Sequence, residues 1–482
     1  MLFNSFEFLL FLLLVFCGYW FLFKRYSRQN LFVLAVSYLF YGRWDWRFLL
    51  LIILTTLLCY FSGKAISRTP DRNRQRWICG VNIAVNIAIL VFFKYANFFS
   101  ENLDLLFRQF GIRLDWITLD ILLPVGISFY TFQAISYPID IYRKKLPATT
   151  DFVAFATFIA FFPQLVAGPI ERSTHLLPQF LQPRRFRYDK AVNGLRQMLW
   201  GFFKKLVIAD NCSLLANLVF DRYTTADPLT LWTGALLFTF QIYGDFSGYS
   251  DIAIGTARLF GIDLRQNFRY PYFSCDITEF WRRWHISLNT WFRDYIYIPL
   301  GGSRCSAAKV IRNTLVVFLI SGLWHGANWT FIAWGIYHGL LFLPLVLLRK
   351  NPLHPRTADP ARRLPALRKL LSMTTTFFLV TTGWILFRSQ TVGDAARYLQ
   401  RCFSLSDRAT ENLFDGNRDT LIYTFAFITL LLLTEWSQRH KEYGLQIVEG
   451  RPRPIRWGIY LLILFSILIF TGPQEQFIYF QF

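Results

Sequence analysis

The stretch Ser321 to Leu340, SGLWHGANWTFIAWGIYHGL, is apolar and aromatic throughout except for His325 and His338, two of the chain's six histidines. Such a segment belongs in lipid or inside a helical bundle, where an imidazole that exchanges protons near neutral pH is costly to place. The rest of the chain agrees with that setting: its 482 residues are 54% hydrophobic, 19% aromatic and only 17% charged. That is the composition of a membrane protein rather than of a soluble enzyme.

Uncharged windows run from Phe8 to Phe23, Leu31 to Tyr41, Phe48 to Gly63, Trp77 to Phe93, Leu229 to Tyr243, Leu421 to Leu433 and Trp457 to Gly472. A crossing needs ~20 apolar residues, so the shorter windows must borrow their flanks or stop partway. The first run has no basic segment before it and no small-residue cleavage pattern after it, which reads as a retained helix. The formal charge of +21 is clustered between apolar runs, at Lys24 to Arg28, Lys64 to Arg76, Arg143 to Lys145, Arg184 to Lys190, Arg349 to Lys369 and Arg439 to Arg456. The loops between these clusters are balanced. That alternation places the basic loops in the cytoplasm and both termini outside, and it argues against a nucleic-acid partner. The seven cysteines are scattered without metal-ligand spacing and read as small apolar filler.

No repeat and no Pro/Gly/Ser linker divides the chain, so residues 1–482 read as one membrane domain. Helices are expected near 5–23, 30–50, 48–66, 77–99 and 118–142. Phe152 to Pro169 starts and must end on the cytoplasmic side, yet has 18 residues, too few for two crossings; it reads as a re-entrant hairpin. Thr314 to Leu348 has 35 residues, ~52 Å as helix, where two crossings need ~40 residues. It should turn near HGAN, short of full depth, with Gly322, Gly326 and Asn328 as break residues. On a continuous helix His338 would fall about 220° from His325, off its face. Val392, Ala396, Leu399 and Phe403 recur at helical spacing and predict an amphipathic surface helix, and the C-terminal TGPQEQFIYFQF should lie outside.

Three clusters can carry chemistry. His325 sits at the predicted break, whereas a structural histidine needs no special backbone. In ITEFWRRWHISLNTWFRDYIYIPLGG, Ile277 to Gly302, the charged residues Glu279, Arg282, Arg283, His285, Arg293 and Asp294 alternate with tryptophans and tyrosines. This is either an interfacial belt of snorkelling arginines or a grip for a phosphorylated ligand. In QIYGDFSGYSDIAIG, Asp245 and Asp251 are six apart and face opposite ways, so they are no dyad; Asp245 could orient a histidine or bond a hydroxyl. There is no Gly-rich phosphate loop, Walker motif or zinc signature.

DFSGYSDIAIG, ITEFWRRWHISLNTWFRDYIYIPLGG and SGLWHGANWTFIAWGIYHG, with LLPVGISFYTFQAISYPIDIYR and FFPQLVAGPIER upstream, resemble the membrane-bound O-acyltransferase family, in particular its bacterial branch that acetylates exported polysaccharides such as alginate. The resemblance implies an all-α integral membrane bundle of about eleven crossings plus re-entrant hairpins around a tunnel, in the bacterial inner membrane. Its WHG match puts the family histidine on His325, and its second marker falls on His285. It further implies acetyl-CoA as cytoplasmic donor, with Arg282 and Arg283 suited to its phosphates, and supporting places for Asp245, Trp324 and Asn328. No metal and no permanently bound cofactor is implied. The acceptor would be an exported polysaccharide such as alginate or cellulose, or a periplasmic SGNH-hydrolase-like partner, with membrane lipid around the bundle. His325 would act as general base, or an acyl-enzyme would form. Two rivals stand beside it. One is D-alanyl transfer to teichoic acid on the same framework; the other is a flippase without chemistry, although the inverted halves common in transporters are not visible.

Overall fold

The computed structural model describes residues 3–112, 121–165, 168–348, 366–404, 413–475 and 477–478. Most of the basic loop expected at Arg349 to Lys369, and the end of the C-terminal tail, lie outside the described residues. Secondary structure among the described residues is helical: α1 Phe6–Cys17, α2 Tyr26–Gly42, α3 Trp46–Arg68, α4 Arg72–Arg108, α5 Ile127–Tyr142, α6 Phe152–Ala160, α7 Phe162–Leu165, α8 Ser173–Phe180, α9 Tyr188–Phe202, α10 Asp210–Asp221, α11 Pro228–Leu259, α12 Ile277–Arg283, α13 Ile286–Phe292, α14 Ala307–His325, α15 Trp329–Leu347, α16 Leu367–Arg388, α17 Val392–Cys402, α18 Arg418–Ser437 and α19 Arg453–Phe470. Seven of them, α3, α4, α14, α15, α16, α18 and α19, are long and apolar enough to cross a membrane. The chain is a multi-pass membrane protein.

The chain packs as two compact units, residues 1–195 with 253–265, and residues 196–252 with 266–482. In the first, α3 packs on α4 and α5, and α2 on α6. The segment read as a re-entrant hairpin is two short helices, α6 and α7, broken at the non-helical Phe161. Its loosened backbone is satisfied from inside the protein: Ser37 Oγ accepts from Phe162 N at 3.1 Å, and Gln133 and Gln164 both donate to the Phe158 carbonyl. Irregular backbone at membrane depth needs such partners, because lipid supplies none.

In the second unit the α14–α15 hairpin sets the geometry. Its arms approach so closely that a Cβ on Gly335 would lie 2.4 Å from the Phe318 carbonyl oxygen, and one on Gly322 2.3 Å from that of Phe331. Small residues allow this approach where no hydrophobic effect drives helices together. The turn falls at residues 326–328, as the sequence predicts, but the arms are longer than expected. Helix α14 begins at Ala307, and each arm has 19 residues, ~28 Å, enough for a crossing. Lys309 and Arg312, ahead of the expected start at Thr314, lie exposed on the first turns of α14, where long stems can carry a charge out of an apolar helix. The predicted amphipathic helix forms as α17, but it buries Ala395, Tyr398 and Cys402, whereas Val392, Ala396 and Phe403 of the expected stripe are exposed.

Candidate active site

His325 is the last residue of α14, and Asn328 caps α15 by accepting from Thr330 N at 3.0 Å. The cap starts the returning arm immediately, so the histidine is held on a helix end against a tight turn. Its imidazole is buried against the rings of Trp324 and Trp334 at 4.9 Å and Phe387 at 5.5 Å between centroids. The sequence estimate that His325 and His338 cannot share a face is overturned. It presumed one continuous helix, whereas the break puts each histidine on its own arm and folds both onto Trp334, whose ring is 5.1 Å from that of His338. His338 is fully buried, and neither ring nitrogen has a hydrogen-bond partner among the described residues.

His285 lies at the elbow between α12 and α13 in a left-handed backbone conformation, φ 44° and ψ 53°. A non-glycine residue held there stores strain that the surroundings must over-determine. Asn267 supplies much of that restraint: its carbonyl accepts from Ile286 N at 2.8 Å, and its Oδ1 accepts from Ser287 N and Ser287 Oγ. The opposite side of the elbow is closed by Asn289 Nδ2, which donates to the Trp281 and Trp284 carbonyls. The same Asn267 Oδ1 lies 3.1 Å from His285 Nδ1. Because a backbone N–H fixes that atom as oxygen, the neutral imidazole must carry its proton on Nδ1 and keep the basic lone pair on Nε2.

Trp324 joins the two histidines. Its indole is 5.7 Å from the His285 ring and 4.9 Å from the His325 ring, so the structure brings both onto one side chain. The tryptophans of the Ile277 to Gly302 stretch are not a lipid-facing belt: Trp281, Trp284 and Trp291 are all buried. Trp281 walls a cavity of about 420 Å³ with Arg282, Asn289, Thr290 and Arg293 on its polar side and Phe318, Phe342 and Leu345 on its apolar side. From this cavity a run of touching rings leads inward, Trp281 to His338 at 5.0 Å, then Trp334, then His325.

The remaining sequence candidates take other places. Arg283 pairs with Glu279 at 2.6 Å and does not line the cavity, while Arg282 does. Among the described residues Asp245 contacts no histidine. Its oxygens hold Lys205 Nζ at 2.8 Å and Ile478 N at 2.7 Å, because the buried lysine needs a counter-charge. Its neighbour Phe246 does reach the site, 4.6 Å from the His285 ring. Asp251, on the other face of α11, holds Lys204 at 2.6 Å. Sequence reasoning missed Asn267, Trp334 and the Lys204–Lys205 pair. The available signal was polarity in buried company: two lysines inside GFFKKLVIAD, and an asparagine ahead of an aromatic run.

The description "MBOAT, membrane-bound O-acyltransferase family" matches residues 142–374. The chain is 42% identical to a probable alginate O-acetylase of Pseudomonas putida across 100% of both chains. It is 39% identical to the one of Azotobacter vinelandii over 94% of this chain and 88% of that protein. To a peptidoglycan O-acetyltransferase of Helicobacter pylori it is 32% identical over 97% and 94%. The enzyme is therefore an O-acyltransferase that works in a membrane, and the chain belongs to the membrane-bound O-acyltransferase family.

Proposed function

We propose that this chain moves an acetyl group from cytoplasmic acetyl-CoA to hydroxyls of an exported polysaccharide, directly or through a periplasmic SGNH-hydrolase-like partner. It would do so in a bacterial inner membrane, with both termini on the periplasmic side. The observation that carries the reading is the run of rings from the Arg282 cavity through Trp281, His338 and Trp334 to His325. It joins a recess with apolar and guanidinium walls, of a size that holds a small ligand, to a buried base. The names of the relatives support the same reading, since each of the three names an O-acetylating enzyme of a glycan.

In this mechanism the acceptor O–H gives its proton to the His325 imidazole as its oxygen attacks the thioester carbonyl carbon. The C–S bond breaks, and the sulfur leaves as free CoA thiol with the proton returned by the imidazolium. His285, fixed in its Nε2-basic form, orients the reacting groups through the shared Trp324. Arg282 would take a donor phosphate by paired N–H bonds, a geometry a lysine cannot offer.

The test is thiol release from acetyl-CoA by purified protein given an acceptor oligosaccharide. Wild type should release CoA and His325→Ala, present at normal levels, should not. Unchanged release from the variant would remove His325 from the role of base. An absence of release by wild type would favour a flippase, and turnover only with a D-alanyl carrier thioester would favour teichoic acid modification.

A further inference from the structure

We infer that the indole N–H of Trp281 and the imidazole N–H of His338 form an oxyanion site, holding the thioester carbonyl oxygen while it carries negative charge; the assignment rests on the acyl-transfer reading above. His338 lies on α15 without exposure, and neither ring nitrogen has a hydrogen-bond partner among the described residues. The indole nitrogens of Trp281 and Trp334 beside it are buried and unmatched in the same way. Buried polar groups are nearly always bonded, and leaving one without a partner is costly. Packing alone does not call for these atoms, since an apolar side chain fills the same space without that cost. A cluster of them marks a place where a bound molecule supplies the acceptor.

The rings around His338 connect it to the donor. Trp281 meets the imidazole at 5.0 Å and 89°, Trp334 at 5.1 Å and 71°, and Tyr337 at 5.3 Å. Trp281 and Phe318, whose ring lies 6.4 Å from that of His338, also wall the 420 Å³ cavity, so a thioester carried there ends against the same side chains. Gly383 of α16 faces Nε2. Its lack of a Cβ, which would stand 2.7 Å from the nitrogen, keeps a side chain off that edge of the ring.

The base is close by. His325 and His338 touch Trp334 at 4.9 and 5.1 Å from separate arms of the hairpin, which leaves the reacting carbonyl between a base and its donors. Acyl transfer needs that arrangement, because the electron pair moves from the attacking oxygen towards the carbonyl oxygen. As the acceptor oxygen bonds to the carbonyl carbon, its proton passes to His325 and the C=O π pair moves onto oxygen, held by the two N–H groups. The pair then returns, the C–S bond breaks, and the thiolate takes the proton from the His325 imidazolium. A neutral imidazole has one N–H and suffices as donor, so no further charge has to be buried.

The experiment follows CoA release from acetyl-CoA, with an acceptor oligosaccharide, by the purified full-length chain in detergent. Beside it, infrared spectroscopy reads the carbonyl stretch of bound, isotope-labelled acetyl-dethia-CoA, the ketone in which a CH₂ replaces the thioester sulfur and which therefore does not turn over. His338→Leu should lower kcat by about 10²–10³-fold, the usual cost of a lost oxyanion donor, with KM for acetyl-CoA changed by no more than about twofold. His338→Gln keeps an N–H near the place of Nε2 and should recover at least tenfold of that loss. Trp281→Phe keeps a ring without the N–H and should lose at least tenfold. The shape of kcat against pH should stay that of wild type in all three, because His325 is untouched. The carbonyl stretch should lie lower on wild type than in buffer and move back in His338→Leu and Trp281→Phe. If His338→Leu unfolds at a lower temperature than wild type, Trp281→Phe and the stretch decide. A kcat of His338→Leu within about threefold of wild type, a Gln variant no better than Leu, an altered pH profile, or a stretch that ignores both substitutions would overturn the oxyanion site while acyl transfer by His325 stands. A wild type that neither releases CoA nor binds the ketone removes the acyl-transfer reading, and the oxyanion site with it.

Discussion

The imidazole of His325 meets the indole of Trp334 nearly edge-on, ring centroids 4.9 Å apart and planes at 85°. Trp334 is fully buried and also touches His338 and Trp281, so it fixes where the His325 imidazole can point. Replacing His325 by Ala should lower acetyl transfer by about 10²–10⁴-fold, the usual range for a lost general base. Trp334→Leu should lower it less, through misplacement of a base that is still present. Product acetylation at matched membrane levels checks both.

Asn267 reads as the residue that sets the tautomer of His285. Asn267→Leu removes the acceptor for both Nδ1 and the backbone of Ser287, whereas Asn267→Asp keeps an acceptor oxygen in the same place. Activity should fall at least tenfold in the first and recover partly in the second. Equal losses would mean that the asparagine only packs the elbow.

Glycine at the α14–α15 contact is demanded by backbone, not by flexible side chains. Gly335→Ala puts a Cβ 2.4 Å from the Phe318 carbonyl oxygen, so the arms must separate. An overpacking cost of about 1–3 kcal/mol is expected, read as a lower unfolding temperature in detergent. Gly383→Ala instead meets His338 Nε2 at 2.7 Å and should displace that ring, with an effect on turnover larger than its effect on stability.

Lys205 is buried between Asp210 at 2.7 Å and Asp245 at 2.8 Å, and also donates to the Glu475 carbonyl. Lys205→Met leaves two carboxylates without their cation, which should cost about 3–5 kcal/mol and sharply reduce the amount of folded protein in the membrane. Asp245→Asn in the same background should restore part of it. Folded yield by fluorescence-detected size exclusion gives the answer.

Asp394, near the start of α17, has its carboxyl held at about 2, first by the Thr391 hydroxyl and then by Arg397 and Tyr223. A depressed carboxyl stabilises the fold above the unfolded value near 3.9 and loses that contribution as pH falls through the folded one. Amide exchange in α17 should therefore stay slow from pH 7 to 5 and accelerate between about pH 4 and 2. Asp394→Asn should flatten that dependence.

The membrane class, the break at 326–328, the short helices at 152–165 and the amphipathic α17 were all legible in the sequence. Each is written locally, in the period of apolar residues or in a glycine and a cap within a few positions. The place of His325 at a helix end was legible for the same reason, since the break lies beside it. The first arm of the hairpin starts at Ala307 rather than Thr314 because Lys309 and Arg312 do not end the helix: a charge marks a helix end only when its stem has no way out to water. What only the tertiary structure decided is which buried polar group answers which: Asp245 takes Lys205, 40 residues away, and Asn267 takes His285. Those pairings depend on how helices distant in sequence are packed, and the energy of leaving a buried charge or N–H unmatched selects among packings that the local pattern leaves equivalent.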